Sequence, residues 1–322
     1  MNWLFLRGAW DERTRKSIDD NDDMWLQLFA ALVGENDYGN IYFKDKFDGS
    51  DCPEAIKYTH NCDISTYFTG GIVGDKQTIF SRGGFDWQAL ICRNDKNAYK
   101  IRYGAGKRFM PEPDIKYDLV LVDSYNQKKA IKEIYPDCNA QIWIKPAAEH
   151  FKYMPEVEKD FDVCYIANGQ QAEIKSVKWV YDTVPRDLKV LHLGYPSKYK
   201  PPENVTCMRV DRIDMPKWIN RCKVGIVPYW SGVDSCPRVI PEMMACGLPV
   251  LMADTVVYRN LLFNGGGSNK DSFWGDVKIN IEYNVFYRSI SEEYEKENSI
   301  EVVVNLIKQY ISGFNEYNSC KI

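Results

Sequence analysis

Apolar runs of strand length alternate with helical segments through the second half of the chain. Strands are predicted at 161–167, 189–193, 224–228 and 249–252, with helices at 172–184, 215–221 and 239–246 between them. Strands separated by helices in this way form a parallel, doubly wound sheet, because each crossover helix covers one face of the sheet. The second half is therefore predicted to be a Rossmann-like α/β domain.

The first half shows the same alternation at its two ends. Residues 3–6 are predicted to form a strand, and residues 22–32 a helix whose N-terminal carboxylates suit the helix dipole. Residues 117–123 form a near-continuous apolar run, followed by a helix to about residue 135. The strand order between 34 and 113 stays unassigned.

The length of the chain favours two domains. Its 322 residues exceed the roughly 250 to 300 residues at which a single core stops growing. Residues 145–155 lack either periodicity and have Pro at both ends, which is typical of a linker. We predict an N-terminal domain over 1–147, a second domain over 148–298, and over 299–322 a C-terminal helix and tail placed to pack back on the N-terminal domain.

Composition excludes several classes of protein. No apolar run approaches the roughly 20 residues of a membrane span, and the start lacks a signal-peptide pattern, so we expect a cytoplasmic protein without stable membrane insertion. Ten cysteines are scattered without a C-x-x-C pair, which argues against a zinc site and a disulfide framework. Cys164, Cys222 and Cys246 lie in apolar runs, where a free thiol behaves as a small hydrophobe.

One stretch departs from the net charge of −4. Residues 93–108 contain six Lys or Arg against one acid, with Tyr99 and Tyr103 interleaved. Such charge runs usually form a solvated loop or strand face. The alternative is a surface that binds an anionic acceptor.

The segment 227–250 carries the strongest chemical pattern. An apolar strand leads into a glycine-containing loop with an acid, Asp234; a helix with a second carboxylate, Glu242, follows, and then Gly247-Leu248-Pro249 and another strand. In doubly wound sheets, ligands bind at the carboxyl ends of the strands, where loops turn into helices. This loop is therefore the first candidate for a binding site. A structural alternative is that Glu242 only caps or solvates its helix.

The pattern resembles the donor domain of retaining GT-B glycosyltransferases of the family 4 type (glycosyl transferases group 1). Their signature is an acid, a glycine-rich turn, a second acid eight residues on, and Ala-Cys-Gly-x-Pro-Val. Asp234 and Glu242 stand at the two acids, and residues 244–250 match the tail. The resemblance extends over roughly residues 117–260. It implies the GT-B architecture, two Rossmann-like domains whose parallel sheets face each other across a cleft.

The resemblance also implies roles for individual residues. Glu242 would bind the ribose hydroxyls, Asp234 the donor sugar, and the turn at Ser235 and Cys236 the sugar and phosphate. A carboxylate suits the first two roles because it accepts hydrogen bonds from two hydroxyls. The turn departs from the family's Gly-Phe-Gly, and Pro237 lacks an N–H to donate.

Positive charge for the donor diphosphate is expected from Lys175 or Arg238, which with Asp234 form the predicted catalytic set. A solvated helix lysine is the ordinary alternative for Lys175. Asn168, followed by Gly169, replaces the Arg of the family's Val-Gly-Arg, and Arg212 and Ile213 occupy the loop that flanks the base. Among the histidines, His192 in a predicted strand favours a buried structural role, whereas His150 in the linker is a candidate substrate contact.

The implied reaction moves a hexosyl or pentosyl group from a nucleotide diphosphate sugar, with UDP as the expected nucleotide, to an acceptor hydroxyl with retention. No metal and no cofactor are expected. A glycan or lipid-linked saccharide is the predicted acceptor; the alternatives are a phage-type transferase acting on a hydroxylated DNA base, and an inactive nucleotide-sugar-binding module. The sequence leaves the donor sugar, the base and the oligomeric state open. The acceptor side is assigned to Gly8, Lys100, Arg102, Lys107 and Arg108.

Overall fold

The structure is a computed structural model of the whole chain. It describes residues 2–9, 23–33, 38–44, 62–66, 77–81, 92, 97–104, 114–122, 125–143, 145–230, 237–253, 265–283 and 287–319.

Seven strands of the described residues form one parallel sheet, here called sheet A. It runs in the order β3-β2-β1-β4-β5-β6-β7. The strands are β1 (Asn2–Ala9), β2 (Tyr38–Lys44), β3 (Cys62–Thr66), β4 (Gln77–Ser81), β5 (Tyr99–Gly104), β6 (Leu119–Val122) and β7 (Ala140–Ile142). The strands that the sequence left unassigned thus fill both flanks of β1.

A second parallel sheet, sheet B, runs in the order β10-β9-β8-β11-β12-β13. Both sheets contain the Rossmann succession, in which the first strand of the sheet lies beside the fourth and the chain reverses its direction of winding between them. The strands of sheet B are β8 (Phe161–Ile166), β9 (Val190–Leu193), β10 (Val205–Met208), β11 (Cys222–Val227), β12 (Val250–Ala253) and β13 (Gly265–Ser268). The predicted α/β class and parallel sheets are confirmed.

The described helices match the predicted ones where a prediction was made, and α6 and α7 are additional. One helix start differs by several residues: the helix predicted from 172 begins at Val177, because Ser176 has a positive φ of 62° and interrupts the helical path. The helices are α1 (Met24–Leu32), α2 (Tyr125–Ile134), α3 (Val177–Thr183), α4 (Met215–Ile219), α5 (Val239–Ala245), α6 (Phe273–Tyr283), α7 (Tyr287–Asn298) and α8 (Ile300–Ser319).

The chain divides into two compact units. Unit 1 comprises Met1–Trp143 with Ile300–Ile322, and unit 2 comprises Ile144–Ser299. Within unit 1, α8 packs against α1, and the Tyr310 hydroxyl donates to the carbonyl of Ile142 at 3.2 Å. The last helix therefore belongs to the same unit as the first strand.

Each unit has an apolar core on its own sheet. In unit 1, α1 covers sheet A with aromatic side chains, Phe29 stacking on Phe5 at a centroid distance of 4.3 Å and Trp25 contacting Trp143 at 5.7 Å. In unit 2, the free thiols of Cys164, Cys222 and Cys246 are buried, which confirms their predicted apolar role.

The N-terminus of α1 depends on one side chain. Asp23 Oδ1 accepts hydrogen bonds from the N–H groups of Trp25 at 2.8 Å and Leu26 at 3.3 Å. We predict that Asp23→Ala lowers the free energy of unfolding by about 1 kcal/mol, whereas Asp23→Ser retains most of it. Urea unfolding monitored by fluorescence measures both. Asp137→Ala, at an exposed turn of unit 1, is the control, and an equal loss for Asp137→Ala and Asp23→Ala would contradict the capping role.

Candidate functional site

Sheet B changes its direction of winding between β8 and β11, and two loops meet at the carboxyl ends of these strands. The Tyr229 hydroxyl, just after β11, donates to the carbonyl of Ile166 at the end of β8 at 2.7 Å. The N–H of Trp230 donates to Ser176 Oγ at 3.3 Å. The loop after β11 is therefore tied to both the last residue of β8 and the start of α3.

Lys175 lies at this junction. Its side chain is only 8% exposed, and its Nζ lies 4.1 Å from the centroid of the Tyr229 ring. The Tyr165 hydroxyl donates to the Lys175 carbonyl at 2.7 Å, which holds the backbone as well. The solvated helix lysine considered from the sequence is thus wrong, because Lys175 precedes the helix and is buried against the Tyr229 ring.

Gly169 forms the turn after β8 beside the partly buried Asn168. Its N–H donates to the carbonyl of Tyr195 at 3.1 Å. A Cβ at this position would lie 2.2 Å from the carbonyl oxygen of Pro196. Because both partners are backbone atoms that cannot rotate away, the loops after β8 and β9 approach each other this closely only with glycine at 169.

Glu242 is the buried charge of the site. The side chain is 1% exposed, Arg212 Nη2 lies 2.5 Å from its Oε1, and Arg238 Nε lies 3.2 Å from the same oxygen. A buried carboxylate requires such compensation, since removing a charge from water costs several kcal/mol. The structure thus brings together three residues that the sequence placed at the donor: one acid and two arginines.

Two side chains of the linker, those of His150 and Phe151, contact Arg212. His150 Nε2 lies 3.3 Å from the carbonyl oxygen of Arg212, and the Arg212 guanidinium carbon lies 5.1 Å from the Phe151 ring centroid. Burial, and next the Arg212 charge, lower the pKa of His150 to about 4. His150 therefore contacts the Arg212 backbone as a neutral ring at pH 7.

Ile213 follows Arg212 in a short 3-10 turn, Arg212–Asp214, and is 41% exposed. Large apolar side chains with this exposure are few among the described residues. In the chain it directly follows Arg212 of the buried ion pair, and its apolar side chain is exposed. His192, in contrast, is fully buried between the Tyr181 hydroxyl at 2.6 Å and the Ala167 carbonyl at 3.0 Å, which confirms its structural role.

The exposed basic face expected on the acceptor side is not formed by Lys100 and Arg102, which are 7% and 1% exposed. Both lie in β5, a strand between two others, and Arg102 is in register with Val120 of the apolar core. Neighbours in register share a face of the sheet, so the core that covers Val120 also covers Arg102. Gly8, also assigned to the acceptor side, lies inside β1.

Five predicted site residues lie outside the described residues: Asp234, Ser235, Cys236, Lys107 and Arg108. Their roles stay predictions. Tyr229 is a residue of the site that the sequence reasoning missed. The available signal was its position directly after the predicted strand 224–228, at the edge where ligands bind.

Comparison with known proteins gives likeness in structure alone. The sequence matches no protein-family model and no curated protein. The N-terminal domain of Candida albicans trehalose-6-phosphate phosphatase aligns with a TM-score of 0.67 at 10% identity, over 97% of this chain and 96% of that chain. Anabaena HepE, solved in complex with UDP and glucose, aligns with a TM-score of 0.62 at 12% identity, over 97% of this chain and 100% of that chain.

The lipopolysaccharide outer core galactosyltransferase WaaB aligns with a TM-score of 0.62 at 12% identity, over 97% of this chain and 99% of that chain. The chain has the GT-B fold. Sheet B and its switch between β8 and β11 thus belong to the second Rossmann-like unit of a GT-B fold. Within the part of the chain that the structure describes, no helix combines the length and apolar character needed to cross a membrane.

The close approach at Gly169 generates a prediction with a matched control. Gly169→Ala should lower the free energy of unfolding by about 1–3 kcal/mol, because the new methyl group meets backbone that has to move. Gly275→Ala adds the same methyl group in α6 with nothing within 4 Å, and should raise it by about 0.5–1 kcal/mol. Urea unfolding distinguishes them; a neutral Gly169→Ala would show that the turn has room for a side chain.

His150 should make stability depend on pH. The folded pKa of about 4 lies below the ordinary value of 6.5, so between these values the unfolded chain binds a proton that the folded chain does not. The free energy of unfolding is therefore unaffected by His150 protonation above pH 6.5, and it falls as the pH decreases towards 4, because protonation favours the unfolded chain. Burial lowers the pKa of His192 in the same sense.

We therefore expect His150→Gln to lose less stability than the wild type between pH 6.5 and 4.5. Urea midpoints at several pH values in this window measure the difference, in which the carboxylates common to both proteins cancel. Parallel curves for the two proteins would exclude His150 as a contributor.

Proposed function

We propose that this protein is a retaining glycosyltransferase that moves a sugar from a nucleotide diphosphate sugar to an acceptor hydroxyl. The observation that carries the proposal is the buried Glu242 carboxylate, held through Oε1 by Arg212 and Arg238. A carboxylate has about four acceptor sites on its two oxygens, so Glu242 retains the capacity to accept from a ribose hydroxyl. A charge-assisted bond of this kind contributes on the order of 1.5 to 3 kcal/mol.

Lys175 supports the same function from the loop after β8. Departure of a nucleoside diphosphate develops negative charge on the phosphate oxygens, and a fixed cation in a partly dry site stabilises that charge more than one in water. The Lys175 ammonium lies 4.1 Å from the centroid of the Tyr229 ring, and the Tyr165 hydroxyl binds the backbone carbonyl of the same lysine. Arg238, next to Glu242, is a second cation for the phosphates. In this proposal side chains supply the charge, and no metal or cofactor takes part.

UDP is the proposed nucleotide and a hexose the proposed sugar. Support comes from the GT-B relatives in structure, since HepE was solved with UDP and glucose and WaaB is a galactosyltransferase. Ile213 offers an exposed apolar surface for the base beside Arg212. Asp234 is proposed to bind the sugar hydroxyls and the turn at Ser235 and Cys236 the phosphate, as the sequence resemblance implies.

A glycan or lipid-linked saccharide is the proposed acceptor. The DNA alternative depended on an exposed basic, Tyr-bearing stretch, and two of its cations, Lys100 and Arg102, are buried. Binding to the nucleic-acid backbone requires accessible Lys and Arg. The burial of these two residues therefore favours a saccharide acceptor over DNA.

The test is a screen of UDP-sugars for consumption, with water as the slow acceptor, by wild type, Glu242→Gln and Lys175→Met. We expect one UDP-sugar to be consumed by the wild type, Lys175→Met to lower turnover by about 100-fold or more, and Glu242→Gln to weaken donor binding by roughly 10-fold or more. The anomeric configuration of the product, determined by NMR, tests retention.

Glu158→Gln and Lys217→Met change exposed residues of the same unit and should leave turnover unchanged. Loss of turnover in these controls would point to general destabilisation. A UDP-sugar that raises the Tm without being consumed would identify an inactive binding module, and the absence of both effects for every nucleotide sugar would refute the proposed function.

A further inference from the structure

Two loops of sheet B are tied together at a single aromatic residue. Tyr229 is fully buried; its hydroxyl binds the Ile166 carbonyl at 2.7 Å, and its ring lies 4.1 Å from Lys175 Nζ. The hydroxyl therefore fixes the ring to the end of β8, and the ring in turn faces a cation on the loop that follows β8.

We propose that Tyr229 is a positioning residue that holds the Lys175 ammonium at the switch point, so that the cation is in place before a nucleoside diphosphate binds. The inference rests on the proposed function, and it adds a residue and a contact to it.

Physical chemistry favours this arrangement over a free lysine. Lysine loses side-chain entropy when it is ordered, and burial penalises its charge. The face of an aromatic ring offsets part of that penalty without neutralising the charge, as a carboxylate would. A ring contact therefore orders the ammonium without itself adding a negative charge.

Contacts of the backbone around Lys175 also support a fixed position for this residue. The Tyr165 hydroxyl donates to the Lys175 carbonyl, and Ser176 Oγ accepts the N–H of Trp230 at 3.3 Å. Ser176 holds a positive φ of 62°, a conformation that costs a non-glycine residue energy and persists where its surroundings impose it. Contacts from β8 and from the loop after β11 thus converge on residues 175 and 176.

The position of Tyr229 in the chain gives the contact a further consequence. Tyr229 lies five residues before Asp234, the predicted sugar-binding acid, and directly after β11. A contact between Tyr229 and Lys175 therefore couples the start of the predicted sugar-binding loop to the predicted phosphate-binding cation. Misplacing the ring should affect the phosphate contact and leave nucleoside contacts intact.

The experiment compares UDP with uridine as probes, since only UDP carries phosphates. We expect Tyr229→Leu and Tyr229→Met to weaken UDP binding by roughly 3- to 30-fold and to leave uridine binding unchanged. Tyr229→Phe, which keeps the ring, should stay within about 3-fold of wild type. In a Lys175→Met background, Tyr229→Leu should have no further effect on UDP affinity.

Tyr287→Leu is the matched control. Tyr287 makes the same kind of contact, with Lys159 Nζ 4.0 Å from its ring centroid, but Lys159 precedes β8 and so lies towards the amino end of that strand. Loss of the Tyr287 ring should change the binding of neither UDP nor uridine. Circular dichroism and the Tm establish that each variant is folded; the methionine variant replaces the leucine one if the latter fails to fold.

An NMR readout makes the contact testable without a ligand. In protein labelled with ¹³C at the lysine ε carbon, the Lys175 signal, assigned by its loss in Lys175→Met, should be shifted upfield by the ring, retained in Tyr229→Phe and moved downfield in Tyr229→Leu. An unshifted signal in the wild type would overturn the inference.

The remaining outcomes separate the inference from the proposed function. If the wild type consumes a UDP-sugar but Tyr229→Leu binds UDP as tightly as the wild type does, the positioning role is overturned and the proposed function stands. If the wild type binds no UDP and consumes no UDP-sugar while the upfield signal is present, the proposed function is refuted. The role of Tyr229 in diphosphate binding is then refuted as well, although the contact between Tyr229 and Lys175 is present.

Discussion

The candidate site depends on one topological constraint, the adjacency of β8 and β11 in a sheet whose strands all run the same way. Parallel strands end at the same edge, so the two loops that follow β8 and β11 must meet there. The chain winds to opposite faces of the sheet after these two strands, so the two loops diverge from this edge. Hydrogen bonds from Tyr229 to the Ile166 carbonyl and from Trp230 to Ser176 Oγ connect the loop after β11 with the end of β8 and the start of α3.

Buried charge is the second organising element, and each charge is compensated in a different way. Glu242 is paired with two arginines, of which Arg212 is itself supported by His150 and Phe151. Lys175 instead lies over an aromatic ring. A carboxylate needs hydrogen-bond donors in a dry site, whereas an ammonium can be stabilised by the negative face of a ring. The resulting set combines an acceptor for hydroxyls with cations for phosphates.

Local sequence pattern was sufficient for some of these residues. Glu242 was identified because a helix between two apolar strands, followed by Gly-Leu-Pro, fixes which loop lies at the ligand edge. Gly169 was assigned through the family resemblance of the segment that contains the predicted strand 161–167. The burial of Lys100 and Arg102 could not be predicted in the same way. A charged, alternating pattern predicts the face of a strand, but it does not predict which residues cover that face. The covering comes from β4, β6 and an apolar core whose residues are distant in sequence.

The sequence by itself determined the α/β class, the parallel sheets, the burial of His192 and the segment around Glu242, because periodicity and the succession of strands and helices are local properties of the chain. Only the tertiary structure decided that Glu242 is bound by Arg212 and Arg238, that Lys175 lies under Tyr229, and that two basic side chains of β5 are buried. Arg212 and Glu242 are separated by 30 positions, and Lys175 and Tyr229 by 54. Contacts over such separations are set by how the strands are ordered in the sheet, and no short segment encodes that order.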